Sequence, residues 1–243
     1  MKPLKFVAGS LCAFFIAFGA TAQNADKQET TVEDTYLSSV QDVVITELSN
    51  SDERDNKLVA LQYLEDAVNS GNVTPDMMAA LDHLAGEGIT TQERTNGRIM
   101  NNYPDIRAKA CDLLGQVKSE EAKQSLMKIA LADNEPMVMT AAIRSLGNIG
   151  MNNGDDVTDT IAWANKRNRV LNPTSSMALE VIIAYEKLTD TVENKQPMIQ
   201  ELGKIATDYH YVTPVRQRAL ALLKTLQSSG GSNNSKKSTS DAK

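Results

Sequence analysis

A twelve-residue pattern occurs twice in this sequence, beginning at Pro104 and again at Pro136, 32 positions later. Both copies have proline first, alanine seventh, leucine eleventh and glycine twelfth, with apolar residues between them at a helical period. A short helix of this kind buries its apolar side only against neighbours, and recurrence at a fixed spacing is typical of stacked helical repeats. The pattern therefore predicts helix pairs that stack on one another.

Weaker copies extend this prediction along most of the chain. They begin near Lys57, Ser175 and Val215, and second helices such as residues 121–130 lie between the copies. No segment alternates convincingly with the period of two that marks a half-buried strand. We therefore predict an all-α protein, an α-α superhelix of about four to five helix pairs.

Prolines and glycines predict where the helices begin and end. Proline at the first helical position loses no hydrogen bond, so each of six prolines predicts a helix start. They are Pro75, Pro104, Pro136, Pro173, Pro197 and Pro214. Thr74, Asn172 and Thr213 precede three of them as predicted N-caps. Gly115 and Gly147, at the end of the pattern, are predicted to end their helices in a left-handed conformation.

The pattern Pro-x-x-Arg-x-x-Ala-x-x-x-Leu-Gly of residues 104–115 resembles the HEAT repeat. More narrowly, it is similar to the short HEAT-like repeats common in bacterial proteins, some of them secreted. The resemblance covers roughly residues 50–227. It implies an armadillo-type α-solenoid that serves as a binding scaffold, because no chemistry is attached to the repeat itself.

The N-terminus predicts export. Lys2 and Lys5 precede a largely apolar run over residues 6–18, and Ala20 and Ala22 place small residues before Gln23. This arrangement is typical of a secretory signal peptide cleaved after Ala22. The run is shorter than the roughly 20 apolar residues of a membrane-spanning helix, and no later run is long enough. We therefore expect a bacterial periplasmic protein without a transmembrane span after cleavage.

The chain is expected to divide into four parts. Residues 1–22 form the signal peptide, and 23–50 an N-terminal segment with a capping helix. Residues 51–227 form the solenoid. Residues 228–243 contain Ser, Gly, Asn and Lys with no apolar residue except Ala242, and they are predicted to be disordered.

One polar connector, residues 86–103, is longer than the 2–8 residues typical between packed helices. Asn96-Gly97 is a strong turn signal within it, flanked by Arg94, Arg98 and Tyr103. Arginine and tyrosine are enriched among interface hot spots, so these three residues are candidates for binding a partner. The alternative is a solvated loop whose arginines pair with the protein's own carboxylates.

Aromatic residues supply the other candidate anchors. Tyr209 and Tyr211 flank His210 before the last helix, and Trp163 is the sole tryptophan. Packing in the core or at a helix end is one interpretation of these residues. Binding of a partner on the solenoid surface is the other.

The sequence contains no recognisable catalytic or metal-binding motif. It has two histidines and no metal-ligand spacing, phosphate-binding loop or nucleophile motif. The net charge of −6 and the predicted secretion both oppose nucleic-acid binding. We therefore expect a scaffold that binds another protein, with no cofactor and no catalysis. A small-ligand protein or enzyme with an unrecognised site and a structural spacer remain the alternatives.

Overall fold

The computed structural model describes residues 31–231, which contain ten α-helices and one two-stranded hairpin. The predicted signal peptide and residues 232–243 of the predicted tail lie outside the described residues. The helices are α1 (Val32–Asn50), α2 (Arg54–Ser70), α3 (Pro75–Ala85), α4 (Pro104–Val117), α5 (Glu120–Ala132), α6 (Pro136–Ile149), α7 (Asp156–Leu171), α8 (Ser175–Leu188), α9 (Gln196–Thr207) and α10 (Thr213–Gly231). The strands are β1 (Arg94–Thr95) and β2 (Arg98–Ile99).

The helices form two layers. Each odd-numbered helix packs against the next odd-numbered helix, and each even-numbered helix against the next even-numbered one. Helices consecutive in the chain pack across the two layers. This is the predicted all-α, HEAT-like solenoid, with five helix pairs among the described residues.

The repeated alanines and leucines lie in the core between the layers. Ala110, Ala142, Leu114 and Leu146 are fully buried, as their recurrence in register predicts. Polar links also join successive helices of one layer. Arg144 of α6 contacts Asp112 of α4 through Nη1 and Glu180 of α8 through Nε, each at 3.1 Å.

Five of the six prolines occupy the first or second position of a helix, as predicted. Pro173 is the exception, because it lies two residues before α8 begins. Asn172, its predicted N-cap, instead follows the last residue of α7. Thr174 caps α8 by accepting a hydrogen bond from the Met177 backbone N–H at 3.4 Å, so the proline precedes the cap. Thr74 caps α3 as predicted.

The prediction for Gly115 and Gly147 is wrong, because both glycines lie inside their helices. Helix α4 continues to Val117 and α6 to Ile149. A Cβ on Gly115 would lie 2.8 Å from the Ser145 Cα, and a Cβ on Gly147 would lie 2.8 Å from the Ala184 Cα. These glycines therefore allow successive even-numbered helices to approach one another closely.

The end of the solenoid differs slightly from the predicted boundary. Helix α10 continues to Gly231, so the first four residues of the predicted tail, 228–231, lie in the helix. None of the helices within residues 31–231 is long and apolar enough to cross a membrane.

Candidate functional site

The long connector between α3 and α4 contains a hairpin rather than an extended loop. Arg94 pairs with Ile99 and Thr95 with Arg98 in antiparallel register. The turn is Asn96-Gly97, at φ values of 51° and 81°, which is the left-handed geometry that tight hairpins prefer. We call residues 93–100 the basic hairpin. All-α periodicity did not predict it, because each strand has only two residues.

Two buried polar residues hold the base of the basic hairpin. The Asn101 Nδ2 donates to the Glu87 Oε1 and to the Thr91 carbonyl, each at 2.7 Å. The Asn101 Oδ1 accepts the backbone N–H of Glu93 at 3.0 Å. Both Glu87 and Asn101 are 2% exposed. The base is therefore fixed by hydrogen bonds that are shielded from water.

The same base is also joined to helices α1, α2 and α4. The Lys57 Nζ of α2 donates to the Glu87 Oε2 at 2.9 Å and to the Ser49 carbonyl of α1 at 3.0 Å. Arg107 of α4 donates from Nη1 to the Glu87 carbonyl at 3.1 Å. Since a rigid scaffold positions the connector, its tip has a defined place on the solenoid.

Space is also restricted at the base. Gly88 has a φ of +72°, and a Cβ there would lie 2.4 Å from the Asn101 carbonyl oxygen. Glycine alone fits this combination of left-handed backbone and close approach. Sequence reasoning missed Lys57 in α2 and Glu87 and Asn101 in the connector, because an isolated polar residue carries no periodic signal of burial.

The tip of the hairpin carries two exposed arginines that do not pair with carboxylates. Arg94 donates to the Gln92 Oε1 at 2.7 Å and weakly to the Gly97 carbonyl at 3.5 Å. Among residues 31–231, the Arg98 side chain makes no hydrogen bond or ion pair, although its backbone pairs with Thr95 in the hairpin. The alternative in which these arginines neutralise the protein's own carboxylates is therefore not what the structure shows.

The two arginine side chains project from opposite faces of the hairpin. Arg94 shares a face with its cross-strand neighbour Ile99, and Arg98 shares the other face with Thr95. Met100, next to the second strand, is 53% exposed. A partner that contacts both guanidinium groups must therefore enclose the tip of the hairpin rather than lie flat against one side.

Tyr103 does not join the arginines at the tip. It is half-buried against the core at the start of α4. Its backbone carbonyl accepts the N–H of Arg107 at 3.1 Å, which helps to begin the helix. Tyr103 therefore also has a structural role at the start of α4, and its contact with a partner stays a prediction.

The remaining two candidate residues lie in the turn between α9 and α10, away from the hairpin in the order of the solenoid. Tyr209 is 81% exposed, and its ring stacks on His210 at 4.2 Å between centroids. Tyr211 is buried at 2% exposure, and burial raises the pKa of its hydroxyl above the usual range. Tyr209 is available to a partner, whereas Tyr211 packs in the core.

Trp163 is exposed rather than buried. It lies on α7 with 51% of its surface accessible, and the Arg167 guanidinium lies 5.1 Å from its ring centroid. Lys166 and Val170 on the same helix line a shallow pocket beside it. We call the exposed residues of α5 and α7 around this pocket the odd-layer face; they are Lys128, Leu131, Trp163, Lys166 and Val170.

Within the described residues, no group of three or more His, Cys, Asp or Glu side chains has the geometry to hold a metal ion. Cys111 is fully buried, and this burial raises the pKa of its thiol well above the usual range. It packs as a small apolar residue, as its place in the helical pattern predicts.

A family model described as HEAT repeats matches residues 98–165. The match spans β2, helices α4 to α6 and most of α7, which include both copies of the twelve-residue pattern. Residues 98–165 are HEAT repeats. No curated protein and no solved structure matches it significantly. HEAT repeats stack into extended surfaces that other proteins bind, so the repeat family indicates a helical scaffold for protein interaction.

Proposed function

We propose that this protein is a non-catalytic periplasmic scaffold that binds another protein through the basic hairpin. The observation that carries the proposal is the pair of exposed arginines, Arg94 and Arg98, which have no carboxylate partner within residues 31–231 of a chain with a net charge of −6. The rigid base fixes the backbone of the basic hairpin before any partner arrives. Preorganisation of this kind lowers the entropic cost of association.

The chemistry of the hairpin defines the partner it suits. Guanidinium groups bind carboxylates through charge-assisted, frequently bidentate hydrogen bonds. Because Arg94 and Arg98 leave opposite faces, the matching surface is a cleft with acidic groups on both walls. Met100, two residues after Arg98 and 53% exposed, adds an apolar contact nearby.

The experiment is cross-linking in intact cells of the native host, followed by identification of co-purified proteins. We compare the wild type with the R94E/R98E variant and with K128E/K166E, which makes the same charge change on the odd-layer face. All four side chains are exposed, so both variants are expected to fold, which far-ultraviolet circular dichroism checks.

A discrete partner that is lost only in R94E/R98E supports the proposal. Loss only in K128E/K166E moves the binding surface to the odd-layer face, and equal loss in both means that overall charge drives the association. If no specific partner is found even with the wild type, the hypothesis of a structural spacer or of a small-ligand protein is favoured over that of a scaffold.

The proposed location has a separate test. The sequence before Gln23 predicts cleavage after Ala22, so the exported protein should begin at Gln23 by mass spectrometry. It should also fractionate with periplasmic markers. A protein that keeps residues 1–22 and fractionates with the cytoplasm would contradict the location while leaving the hairpin proposal intact.

A further inference from the structure

The outer side of α1 is apolar and uncovered among the described residues. Within residues 31–231, helix α1 packs only on α2 and α3, through residues such as Ile45 and Ser49. Its other side exposes five apolar residues, which are Tyr36 (67%), Leu37 (58%), Val40 (44%), Val43 (60%) and Val44 (42%). The terminal unit of a solenoid ordinarily needs a polar outer face to stay soluble. This helix therefore resembles an inner helix that lacks its neighbour.

The rest of the chain offers no apolar segment to cover this face once the predicted signal peptide is removed. Residues 23–31 and 232–243 contain no large apolar side chain. Contact between apolar surfaces is what stabilises helix packing in a solenoid, and these polar stretches cannot provide it. A surface on another molecule is therefore the occupant that we consider for this face.

Charge argues against two α1 helices covering each other. Helix α1 contains no lysine or arginine, and the exposed Glu33 and Glu47 lie at either end of the apolar positions. In an antiparallel pair centred on Val40, Glu33 of one copy lies beside Glu47 of the other. Like charges placed together in an interface are unfavourable.

The opposite end of the solenoid has the complementary charge. Among the described residues, helix α10 packs only on α8 and α9, and it contains no aspartate or glutamate. Its outer side exposes Leu220 (46%) together with Gln217, Ala221 and Lys224. Val212 and Tyr209, just before it, are 54% and 81% exposed. This end therefore offers a basic surface with apolar residues in it.

We propose that copies of this protein associate head to tail, with the outer side of α1 of one copy packed against the outer side of α10 of the next. The apolar residues of the two ends meet, and Glu33 and Glu47 face the basic end that carries Lys224. Because the two surfaces are different, the contact is heterologous. A dimer therefore still exposes one α1 surface and one α10 surface, to which further copies can bind. Association then continues to longer species as concentration rises, unless the copies close into a ring.

The test is sedimentation velocity of the exported protein over a range of concentrations, with two variants that each break one end. V40E/V43E disrupts the outer side of α1, and L220E/K224E disrupts that of α10. Leu131→Glu, at an exposed apolar residue of α5, is the matched control away from both ends. Circular dichroism and thermal melting verify that each variant folds like the wild type.

We expect the wild type and the Leu131→Glu control to show an average mass that rises with concentration. Each end variant alone should remain monomeric, because one of its two surfaces is lost. An equimolar mixture of the two should form a dimer and nothing larger, since the intact α10 of one binds the intact α1 of the other. This rescue by mixing is specific to a heterologous contact.

Three results would overturn the proposal. The wild type could stay monomeric throughout, or L220E/K224E could still dimerise, which would indicate contact between two α1 helices despite their charge. A mixture of the two end variants that remains monomeric would also overturn it. None of these results depends on whether the basic hairpin binds its own partner.

Discussion

Arg107 and Asp133 form an ion pair in which neither side chain is more than 1% exposed, with 2.7 Å between Nε and Oδ2. Arg107 lies in α4, which contains the first copy of the twelve-residue pattern. Asp133 lies in the connector before α6, which contains the second copy. Asp133 also accepts the backbone N–H of Glu135 at 2.8 Å, one residue before α6 begins. One carboxylate therefore neutralises a buried arginine and shapes the entry into the next repeat.

Replacement of Asp133 by alanine should destabilise the protein strongly. It leaves the buried Arg107 charge without its carboxylate, a change that typically costs about 3–5 kcal/mol in the free energy of unfolding. Glu65→Ala is the control, because it breaks the half-exposed pair with Lys109 and should cost no more than about 1 kcal/mol. Urea denaturation measures both. Similar losses in the two variants would contradict the role assigned to burial.

The sequence predicted the repeats well because their signal is periodic. Proline, alanine and leucine recur in register at Pro104, Ala110 and Leu114 and again one repeat later, and each takes the predicted structural role. The glycine of the same pattern was misread. A local rule assigns glycine to a helix end. Glycine occurs at these positions because a neighbouring helix, distant in sequence, packs too closely for a Cβ.

Gly147→Ala should be destabilising for that reason. The added Cβ would lie 2.8 Å from the Ala184 Cα and 2.9 Å from its Cβ, so α6 and α8 must move apart. Overpacking of this kind typically costs about 1–3 kcal/mol. Gly203→Ala in α9 meets no atom within 4 Å and should be neutral or stabilising by up to about 1 kcal/mol. Thermal unfolding of both variants checks this, and a stabilised Gly147→Ala protein would refute the close approach.

The candidate site was only partly predictable. The unusual length of the 86–103 connector and its Asn-Gly turn indicated a feature at Arg94 and Arg98, and the structure places both at an exposed tip. The base was not foreseen, because Glu87 becomes buried only through contacts with α2 and α4. The burial of Tyr211 and the exposure of Trp163 were also not predictable, since residue type alone does not decide which aromatic side chain is buried.

Stability should depend on pH through Asp155. Its carboxylate accepts the backbone N–H groups of Asn194 at 2.7 Å and Glu193 at 2.9 Å, and these bonds, with Asn194 first, lower its pKa below the usual range. A carboxyl group with a lowered pKa stabilises the fold above its unfolded pKa of about 3.9. That contribution is lost as the pH falls through the folded pKa.

Asp155→Asn tests this link between the turn before α7 and the connector before α9. Asn tolerates the left-handed backbone at this position, where φ is 66°, so the turn itself should persist. Urea denaturation between about pH 3 and pH 7 should show the wild type more stable at neutral pH, with the difference narrowing in acid. A difference that stays constant with pH would show that the carboxylate charge is not responsible.

Trp163 offers a direct readout of which surface a partner covers. Being 51% exposed, it should emit at long wavelength in the folded protein and be quenched readily by acrylamide.

Trp163→Ala should change the free energy of unfolding by less than about 1 kcal/mol, whereas Tyr185→Ala, at a fully buried residue, should cost about 3–5 kcal/mol. A partner that contacts only the basic hairpin should leave quenching of Trp163 unchanged, whereas a partner that also covers the odd-layer face should reduce it. Protection of Trp163 on binding, with R94E/R98E still able to bind, would place the partner on α5 and α7 instead.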